Sequence, residues 1–462
     1  MRHVVTANEM ATFDAAALRT TPHRTLVERA GRAVAREVRS LLGAVRGRRI
    51  VVIAGKGSNG ADGRVAAREL ARGGAVVTIV SPSCRSEELE GADVIIDAAY
   101  GTGCSREYVA PMAPVDALVV AVDLPSGLDA TTGALHGRPM PADVTVTMAA
   151  LKAGLLLGAG PEVAGRIVIA DIGISTDGSS MELVDAEDLI GLPERSAGRN
   201  KWSSAVCIVA GSPGMEGAAV LSSLGALRAG AGMVRLVHPT DGPPSGIAWP
   251  VEIVRSSVAT SELVATAQRE CARAGALVLG PGLGRTEETK RAVADILSTR
   301  RTPVVLDADA LACVGDLATL RTLVDSCDPP VVLTPHDGEL SALLGRPLVA
   351  TERLDTLHLV AESTGATVLS KGPTTIVVEP GPTLLADRFI IAGSGALATA
   401  GTGDVLSGVI AALLAAGSSP RDGASLGAVL HGLAGRRAPG TLIASELPAL
   451  IGDVLREVHD GG

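Results

Sequence analysis

Twice in this chain an apolar strand runs into a glycine-rich loop and then into an alanine-rich helix. The first copy reads RRIVVIAGKGSNGADGRVAARELARGG, and the second reads SAVCIVAGSPGMEGAAVLSSLGALRAGAG. This order begins a βαβ unit, in which a crossover helix joins two parallel strands. Two such beginnings in 462 residues, more than one hydrophobic core usually supports, predict two α/β domains.

The composition also favours parallel sheets covered by helices. Hydrophobic residues make up 47% of the chain but aromatic residues only 1%, so Val, Leu, Ile and Ala must fill the cores. The turn-rich, charged stretch DIGISTDGSSMELVDAEDLIGLPERSAGRNKW separates the two patterns. We therefore predict one domain at residues 1–178 and a second at 179–462.

Short β-branched runs that end near Gly, Asp or Pro predict the strands. Residues 11–41 read as two helices that form a lid or a packing arm, and a long helical region begins near Gly403. The predicted strands are 77–80, 93–99, 117–123, 144–148 and 166–173 in the first half, and 233–237, 276–280, 303–309, 331–334, 367–371 and 375–379 in the second.

Charge and cysteine usage narrow the class of protein. The net charge of −9, with no dense Lys/Arg run, argues against a nucleic-acid surface. The first twenty residues lack a continuous apolar stretch and no apolar run is long enough to span a bilayer, so we expect a cytoplasmic protein without a membrane partner. The six cysteines are widely spaced, and we expect small buried hydrophobes, neither a zinc site nor a disulfide framework.

Three loops of the first half follow strands whose carboxyl ends meet at one sheet edge. The segment Gly55–Gly63 suits a phosphate, because glycines allow close approach and the helix start offers free N–H groups; the alternative is a tight turn without a ligand. Asp97 and Asp123 end two other strands, where an aspartate more often just caps a turn. Convergence of the three loops favours a site.

Lys152 lies within the apolar segment VTVTMAALKAGLLLG. Two interpretations stay open. Its ammonium group can reach solvent along an apolar stem, or it can face Asp123 and exchange a proton near neutrality.

The segment AGTGDVLSG places Asp404 at the start of a strongly apolar helix. The simpler interpretation is a helix N-cap. The neighbouring glycines favour phosphoryl transfer instead, because that chemistry needs N–H groups around the moving phosphate and an oriented acceptor.

Other loops of the second half also follow strands. Lys371, in LSKGPTT, either holds nucleotide phosphates or is a solvated lysine at a β-turn. His336, in TPHDGEL, is either a site residue or a surface turn residue. Asp307 and Asp309 can bind Mg²⁺ through water, although a DxD pattern is not specific.

The segments GKGSNGADG, DAAYGTG, AVDLPSGLDATTG and TVTMAALKAGLLLGAG resemble the YjeF N-terminal family of NAD(P)H-hydrate epimerases over residues 1 to 175. The resemblance implies a Rossmann-like three-layer fold, with Asp123 as the acid/base at C6 of the nicotinamide ring and Lys152 as a second catalytic candidate. Ser58 and Ala61 depart from the usual NNGGDG motif. The resemblance further implies a potassium ion held by Asn59, Asp97 and Ser126, and substrate contacts from Ser58, Asn59, Gly60, Ala61, Asp62, Gly101, Thr102, Gly103, Glu107 and Asp123.

The segments AGSPGMEGAA, VLGPGLG, VVLDADAL, VVLTPHDGEL, LSKGPTTIVV and LATAGTGDVLSG resemble the ribokinase-like NAD(P)H-hydrate dehydratases over residues 180 to 462. Asp337 stands where that family often has proline. The resemblance implies Asp404 as the catalytic base. It assigns Ala218, Gly284, His336 and Asp404 to the hydrated cofactor, and Lys371, Gly372, Pro373, Thr374, Thr375 and Gly403 to the adenine nucleotide.

Together the two resemblances imply a bifunctional enzyme that repairs hydrated NADH and NADPH. The first domain interconverts the R and S forms, and the second dehydrates the S form at the expense of ADP or ATP, with Mg²⁺. We expect small-molecule substrates and a homo-oligomer. One rival hypothesis is a ribokinase-fold kinase of a vitamin pathway with a nucleotide-binding regulatory first half. Another is that the first half is only a binding or scaffold module.

Overall fold

The computed structural model describes residues 2–192, 200–241, 246–381, 386–438 and 440–460. They form two compact units, one of Arg2–Glu182 with Ala350–Arg353 and the other of the remaining described residues from Leu183 onwards. Residues 193–199 of the predicted boundary segment lie outside the described part of the chain. Both units are α/β, so the predicted fold class is confirmed.

The first unit carries short strands, two N-terminal helices and a helix that follows the glycine-rich loop. Its helices are α1 (Ala7–Ala17), α2 (His23–Leu42), α3 (Ser58–Arg72) and α4 (Gly160–Val163). Its strands are β1 (Arg2–Val5), β2 (Arg49–Ala54), β3 (Val76–Val80), β4 (Val94–Ala98), β5 (Tyr108–Val109), β6 (Leu118–Val122), β7 (Gly137–Arg138), β8 (Val144–Met148), β9 (Leu151–Lys152), β10 (Arg166–Ala170) and β11 (Met181–Leu183), which ends where the second unit begins.

Six strands of the first unit form a parallel sheet in the order β10-β8-β6-β4-β2-β3. Separate apolar clusters cover its two faces, which gives the Rossmann-like three layers that the sequence predicts. The chain runs from β2 to β3 on one side and returns to β4 on the other. The carboxyl ends of β2 and β4 therefore flank a topological switch point, where α/β sheets bind ligands.

The second unit repeats this organisation on a larger scale. Its strands are β12 (Ala205–Val209), β13 (Met233–Pro239), β14 (Ile253–Val258), β15 (Ala276–Leu279), β16 (Val304–Leu306), β17 (Val331–Leu333), β18 (Thr367–Ser370), β19 (Thr375–Val378) and β20 (Asp387–Ile390). Its helices are α5 (Glu216–Arg228), α6 (Leu263–Cys271), α7 (Glu287–Ser298), α8 (Asp309–Val314), α9 (Leu317–Asp325), α10 (Asp337–Leu344), α11 (Arg353–Thr364), α12 (Thr402–Ala415), α13 (Pro420–Arg437) and α14 (Leu447–Asp460).

These strands are ordered β14-β13-β12-β15-β16-β17-β18-β19-β20 and are parallel up to β18, after which two antiparallel pairings follow. The switch point lies between β12 and β15. Their following loops touch there, because the Gly211 N–H donates to the Pro281 carbonyl oxygen at 2.8 Å. Helix α12 is buried along most of its length in the apolar core of this unit.

The sequence predictions for the cysteines need one correction. Cys207 and Cys271, on β12 and at the end of α6, form a disulfide, so the expectation of unpaired buried cysteines is wrong for these two. Their Cα atoms lie 5.3 Å apart although 64 residues separate them in sequence, a proximity that spacing alone does not reveal. Of the free cysteines, Cys104 is buried and the other three are partly buried.

Among the described residues, the structure contains no helix both long and apolar enough to cross a bilayer.

Candidate active sites

A cavity of about 1030 Å³ lies at the switch point of the first unit. Its walls come from the loops after β2 and β4, the start of α3, and helices α1 and α2. The three predicted loops thus converge, as the edge of a parallel sheet requires. The predicted residues that line the cavity are Ser58, Asn59, Asp62, Gly101, Thr102, Gly103, Glu107, Asp123 and Lys152.

Gly60 and Ala61, on the first turn of α3, are not part of the cavity wall that the described residues form. A Cβ atom added at Gly60 would lie 2.0 Å from the Gly55 carbonyl oxygen. Glycine at this position therefore lets α3 begin directly against the loop backbone, where its free N–H groups can meet an anion.

Asp123 is held at the cavity wall by an ion pair and by hydrogen bonds. Lys152 Nζ lies 2.6 Å from Asp123 Oδ1, and Thr102 donates to Asp123 Oδ2 from its backbone N–H (3.1 Å) and its hydroxyl (2.5 Å). The φ angle of Asp123 is 68°, which is uncommon for a residue with a side chain and frequent at functional sites.

The electrostatic balance at Asp123 favours the ionised form. Burial raises the pKa of the carboxyl group, but Lys152 and the Thr102 hydrogen bonds outweigh burial and hold the pKa below its ordinary value. Asp123 is therefore a carboxylate at neutral pH and can accept a proton from a ligand in the cavity.

Lys152 faces Asp123 and does not reach solvent, which decides between the two interpretations of its sequence position. Only 1% of the side chain is exposed. Its Nζ also donates to the Met148 carbonyl oxygen at 2.7 Å and to Thr147 Oγ1 at 3.1 Å. These contacts fix the ammonium group in one position against Asp123.

Asp97 and Ser126 form a second buried group beside the cavity. Ser126 donates to Asp97 from its hydroxyl (2.6 Å) and its backbone N–H (2.8 Å), and the Tyr100 N–H donates to Ser126 Oγ at 2.9 Å. The amide group of Asn59 is buried with no hydrogen-bond partner at Oδ1 or Nδ2 among the described residues. Buried carboxyl and hydroxyl oxygens and an unpartnered amide oxygen are ligand types that suit a cation.

Two further carboxyl groups face the same cavity. Asp62 lies on α3 and is 8% exposed, and Asp14 lies on α1. Burial and the charges of Asp123 and Asp14 raise the pKa of Asp62 to about 8. Burial raises the pKa of Asp14 too, although Lys152 opposes the shift. The cavity therefore holds an ionised carboxylate beside a protonated one.

In the second unit, Asp404 lies in the first turn of α12. The N-cap of this helix is Gly401, with a φ angle of 93° and no side-chain cap, so the interpretation of Asp404 as an N-cap is wrong. Burial and the nearby Asp307 carboxylate raise the pKa of Asp404 to about 7, against the opposing charge of Lys371. A carboxyl group with this pKa can accept a proton near neutrality.

Lys371 is paired with two carboxylates, and its side chain is only 20% exposed. Its Nζ lies 2.9 Å from Asp307 Oδ1 and 3.7 Å from Glu339 Oε2. Burial lowers the pKa of Lys371, but these carboxylates outweigh burial and raise it, so the ammonium stays charged. A Cβ atom added at Gly403 would lie 3.5 Å from Nζ, which places the cation beside the start of α12.

The two aspartates of the DxD pattern accept hydrogen bonds from different groups. Asp307 accepts from Lys371 and from the Ser407 hydroxyl. Asp309 accepts from the Gly284 N–H at 2.9 Å and from Arg285 Nε at 2.6 Å. Through these contacts the loops after β15, β16 and β18 meet the start of α12.

His336 is the N-cap of α10. Its Nδ1 accepts from the Gly338 and Glu339 N–H groups, and Glu339 accepts from the His336 N–H in return, which forms a capping box. Asp337 is the first residue of this helix, where a carboxylate suits the helix dipole. The Lys371 N–H donates to the Pro335 carbonyl oxygen at 2.9 Å, so His336 lies next to the Lys371 loop.

The remaining predicted residues lie on the same loops. Ala218 is in the first turn of α5, and its Cβ would be 2.9 Å from a Cβ atom added at Gly282. Gly372, Pro373 and Thr374 connect β18 to β19, and Thr375 begins β19.

Sequence reasoning missed Asp14, Glu339 and Ser407 as site residues. Ser407 lies one helical turn after Asp404, a spacing that puts both on one side of α12. Glu339 completes an H-x-x-E capping pattern that is visible in the sequence. No sequence pattern marks Asp14 as a site residue, because it lies in the N-terminal helix α1, far along the chain from the motifs.

Comparison with known proteins identifies the family. The model of NAD(P)H-hydrate dehydratase matches residues 206–456, and that of the YjeF-related protein N-terminus matches residues 23–88 and 80–154. The chain is 33% identical to the bifunctional NAD(P)H-hydrate repair enzyme Nnr of Moorella thermoacetica, over 99% of this chain and 97% of that protein. The chain belongs to the bifunctional NAD(P)H-hydrate repair enzymes.

A second repair enzyme of this family, from Mycobacterium tuberculosis, is 34% identical and covers 90% of both chains. Among solved structures, a ribokinase-like superfamily protein from Enterococcus faecalis matches with a TM-score of 0.51 and 21% identity, covering 60% of this chain and 96% of that one. The predicted family and the ribokinase-like fold are confirmed. Membership of the repair enzyme family over the whole chain also counts against a vitamin-pathway kinase with a merely regulatory first half.

Proposed function

We propose that the two activities of this enzyme divide between its two units. The first unit interconverts the R and S epimers of hydrated NADH and NADPH, and the second converts the S epimer to NADH or NADPH at the expense of ADP or ATP. The observation that carries the proposal is that the two family models match the two halves of the chain, each around a partly buried acid–base aspartate. A dehydratase site shaped for one epimer leaves the other unrepaired, which accounts for the fusion.

In the first unit, Asp123 acts at C6 of the nicotinamide ring. Its ionised carboxylate lines the cavity and can accept a proton from an oxygen on C6. Lys152 positions this carboxylate and keeps it ionised. The loop before α3 and the first N–H groups of the helix provide the place for the substrate phosphates, with Ser58 as the first residue of α3.

Asn59, Asp97 and Ser126 would hold a potassium ion in this unit. The residues fit the ion, because Asn59 Oδ1 is buried without a partner and Asp97 is a buried carboxyl group that pairs with no cation in the described part of the chain. Carboxylate, hydroxyl and amide oxygens are suitable ligands for a hard cation. Bound there, the ion supplies positive charge next to the phosphate-binding loop.

In the second unit, Asp404 accepts the proton of the C6 hydroxyl while that oxygen takes the terminal phosphoryl group of the nucleotide. The N–H groups at the start of α12 and the Lys371 ammonium offset the charge of the moving phosphate. The ring nitrogen's electron pair then expels phosphate from C6, and loss of a proton from C5 restores the double bond.

Mg²⁺ would reach this unit together with the nucleotide. The described residues contain no group of three His, Cys, Asp or Glu side chains placed to hold a metal ion. Mg²⁺ needs only one or two carboxylates in addition to nucleotide phosphates, and Asp309 and Glu339 lie near Asp404. The ion would neutralise phosphate charge during transfer.

Three further statements belong to this proposal. The domain limits of 1–178 and 179–462 are supported by the division of the described residues after Glu182. A cytoplasmic location agrees with a small-molecule substrate that is a soluble cofactor. A homo-oligomeric state is the sequence prediction that we retain.

One experiment tests the division of activities. The purified protein receives either the R epimer or the S epimer alone, with ADP or ATP, and regenerated NADH is followed by its absorbance. We expect wild type to clear the R epimer with at least one nucleotide, Asp123→Asn to clear only the S epimer, and Asp404→Asn to clear neither. Clearance of the R epimer at the spontaneous rate by both wild type and Asp123→Asn would contradict the epimerase assignment.

A further inference from the structure

Inversion at C6 of the hydrated ring needs a proton donor as well as a proton acceptor. C6 carries a hydroxyl group beside the ring nitrogen, and hydroxide leaves carbon readily only after it has been protonated. General acid catalysis by a positioned side chain meets this need. Asp123 is ionised and supplies only the acceptor, so the cavity must contain another group that carries a proton.

Asp62 has the placement that a donor requires. Its side chain lines the cavity from α3, is 8% exposed, and receives no hydrogen bond or ion pair within the described part of the chain. Its backbone is fixed, because α2 packs so closely that a Cβ atom added at Gly31 would lie 2.6 Å from the Asp62 carbonyl oxygen. A buried carboxyl group without a protein partner is left to interact with the ligand.

The groups around Asp62 keep it protonated. The charged groups that face it are Asp123, from the end of β6, and Asp14, from α1. Lys152 is engaged with Asp123, and no cation in the described part of the chain opposes the shift at Asp62. Environments that separate the pKa values of two neighbouring carboxyl groups distinguish an acid from a base.

We propose that Asp62 is the proton donor of the epimerase and the catalytic partner of Asp123. This inference rests on the proposed role of Asp123. Asp62 protonates the C6 hydroxyl, the C6–O bond breaks, and the electron pair of the ring nitrogen forms the N1–C6 double bond as water departs. Water then adds to the opposite face of C6, its proton passes to Asp123, and the double-bond electrons return to nitrogen. Proton transfer from Asp123 to Asp62 restores the starting state.

The test measures interconversion of the epimers by chromatography. The reaction contains no nucleotide, so the dehydratase is inactive. We expect Asp62→Asn to lower kcat by about 10²–10⁴-fold with little change in KM, because the amide keeps the shape but carries no transferable proton. Wild-type kcat should fall as the pH rises above about 8, where Asp62 loses its proton, and this alkaline decline should be absent in the residual activity of Asp62→Asn.

Isotope exchange tests the step without any variant. In water labelled with heavy oxygen, each enzymatic inversion should place one labelled oxygen on C6, whereas retention of the original oxygen would overturn the step. A wild-type kcat that stays constant from pH 7 to pH 10 would overturn the role of Asp62 even if Asp62→Asn fails to fold. Dehydration of the S epimer by Asp62→Asn checks the rest of the molecule.

The outcomes separate this inference from the proposed function. If wild type inverts the R epimer no faster than buffer, the proposed epimerase activity fails. If wild type is active, Asp123→Asn is inactive and Asp62→Asn keeps the wild-type kcat and alkaline decline, only the role of Asp62 fails.

Discussion

Lys152 Nζ lies 2.6 Å from Asp123 Oδ1, and the lysine side chain is only 1% exposed. An ion pair this deep depends on both members, since removal of one leaves an unpaired buried charge. Lys152→Met should therefore raise the pKa of Asp123, because burial is the largest influence on that carboxyl group and would no longer be offset. The acidic limb of the epimerase pH profile should shift to higher pH.

The same substitution should destabilise the first unit by about 3–5 kcal/mol. Urea unfolding followed by tyrosine signals measures this, because Tyr100 and Tyr108 are the only tyrosines and both lie in the first unit. The two tryptophans, Trp202 and Trp249, report the second unit in the same sample and serve as the control. An unchanged acidic limb in a folded Lys152→Met protein would contradict control of Asp123 by Lys152.

The raised pKa of Asp404 determines the expected pH dependence of the dehydratase activity. A base acts when ionised, and the pKa of Asp404 is raised to about 7, so kcat/KM should increase as the pH rises through about 7 and be lost below it. Asp404→Asn should lower kcat by about 10²–10⁴-fold and remove this limb. Asp453→Asn, an exposed aspartate paired with Arg456, is the control and should keep the wild-type profile.

A potassium site at Asn59 would make the stability of the first unit depend selectively on potassium. If its buried, unpartnered amide oxygen helps to hold the ion, binding to the folded state alone should stabilise the first unit in proportion to the logarithm of the ion concentration. The tyrosine-monitored unfolding midpoint should rise in KCl relative to LiCl at the same ionic strength. Asn59→Leu should abolish this difference, and a full KCl effect in that variant would argue against a site at Asn59.

The ordered motifs were sufficient to predict both α/β folds and the convergence of their loops. Parallel strands end at one sheet edge, so Asp97, Asp123 and the glycine-rich loop had to lie close together once the βαβ order was recognised. The predicted strands coincide with observed ones to within a few residues at their ends. The strands and the convergence of the loops therefore follow from local patterns in the sequence.

Contacts between segments that are far apart in sequence could not be predicted from local patterns. Strands β14 and β20 were not predicted, because IVRSSV and DRFI lack the continuous apolar pattern of central strands. The Cys207–Cys271 pairing and the contact of Ser407 with Asp307 join residues far apart in sequence. Likewise, Asp62 could be assigned to the substrate loop, but its protonation depends on Asp14 and Asp123, which only folding brings near.

Asp62 also makes a prediction about stability. Its folded pKa of about 8 lies above the ordinary value, so the unfolded chain loses its proton first as the pH rises, and the contribution of Asp62 to the stability of the first unit falls between about pH 4 and pH 8. The slope from this one group is at most about 1.4 kcal/mol per pH unit. Asp62→Asn should reduce the decline in tyrosine-monitored unfolding between pH 5 and pH 8. Parallel curves for the two proteins would show that Asp62 is ionised in the folded state.

Ser407 should govern how firmly Lys371 is positioned for the nucleotide. The Ser407 hydroxyl donates to Asp307, the carboxylate that holds Lys371 Nζ at 2.9 Å, and it also contacts the Gly403 carbonyl oxygen one turn back in α12. Ser407→Ala removes a hydrogen bond to a charged group, worth about 1.5–3 kcal/mol, and leaves Asp307 less constrained. We expect KM for ADP or ATP to rise more than kcat falls.

Ser223 provides the matched control for this substitution. It is a buried helical serine whose hydroxyl donates to the carbonyl oxygen of Ala219, four residues back, without a carboxylate partner. Ser223→Ala thus loses the same kind of backbone contact, and the difference between the two variants isolates the contact with Asp307. Equal nucleotide KM values in the two variants would mean that Ser407 merely supports α12, whereas a higher KM in Ser407→Ala alone would establish the chain of contacts from Ser407 through Asp307 to Lys371.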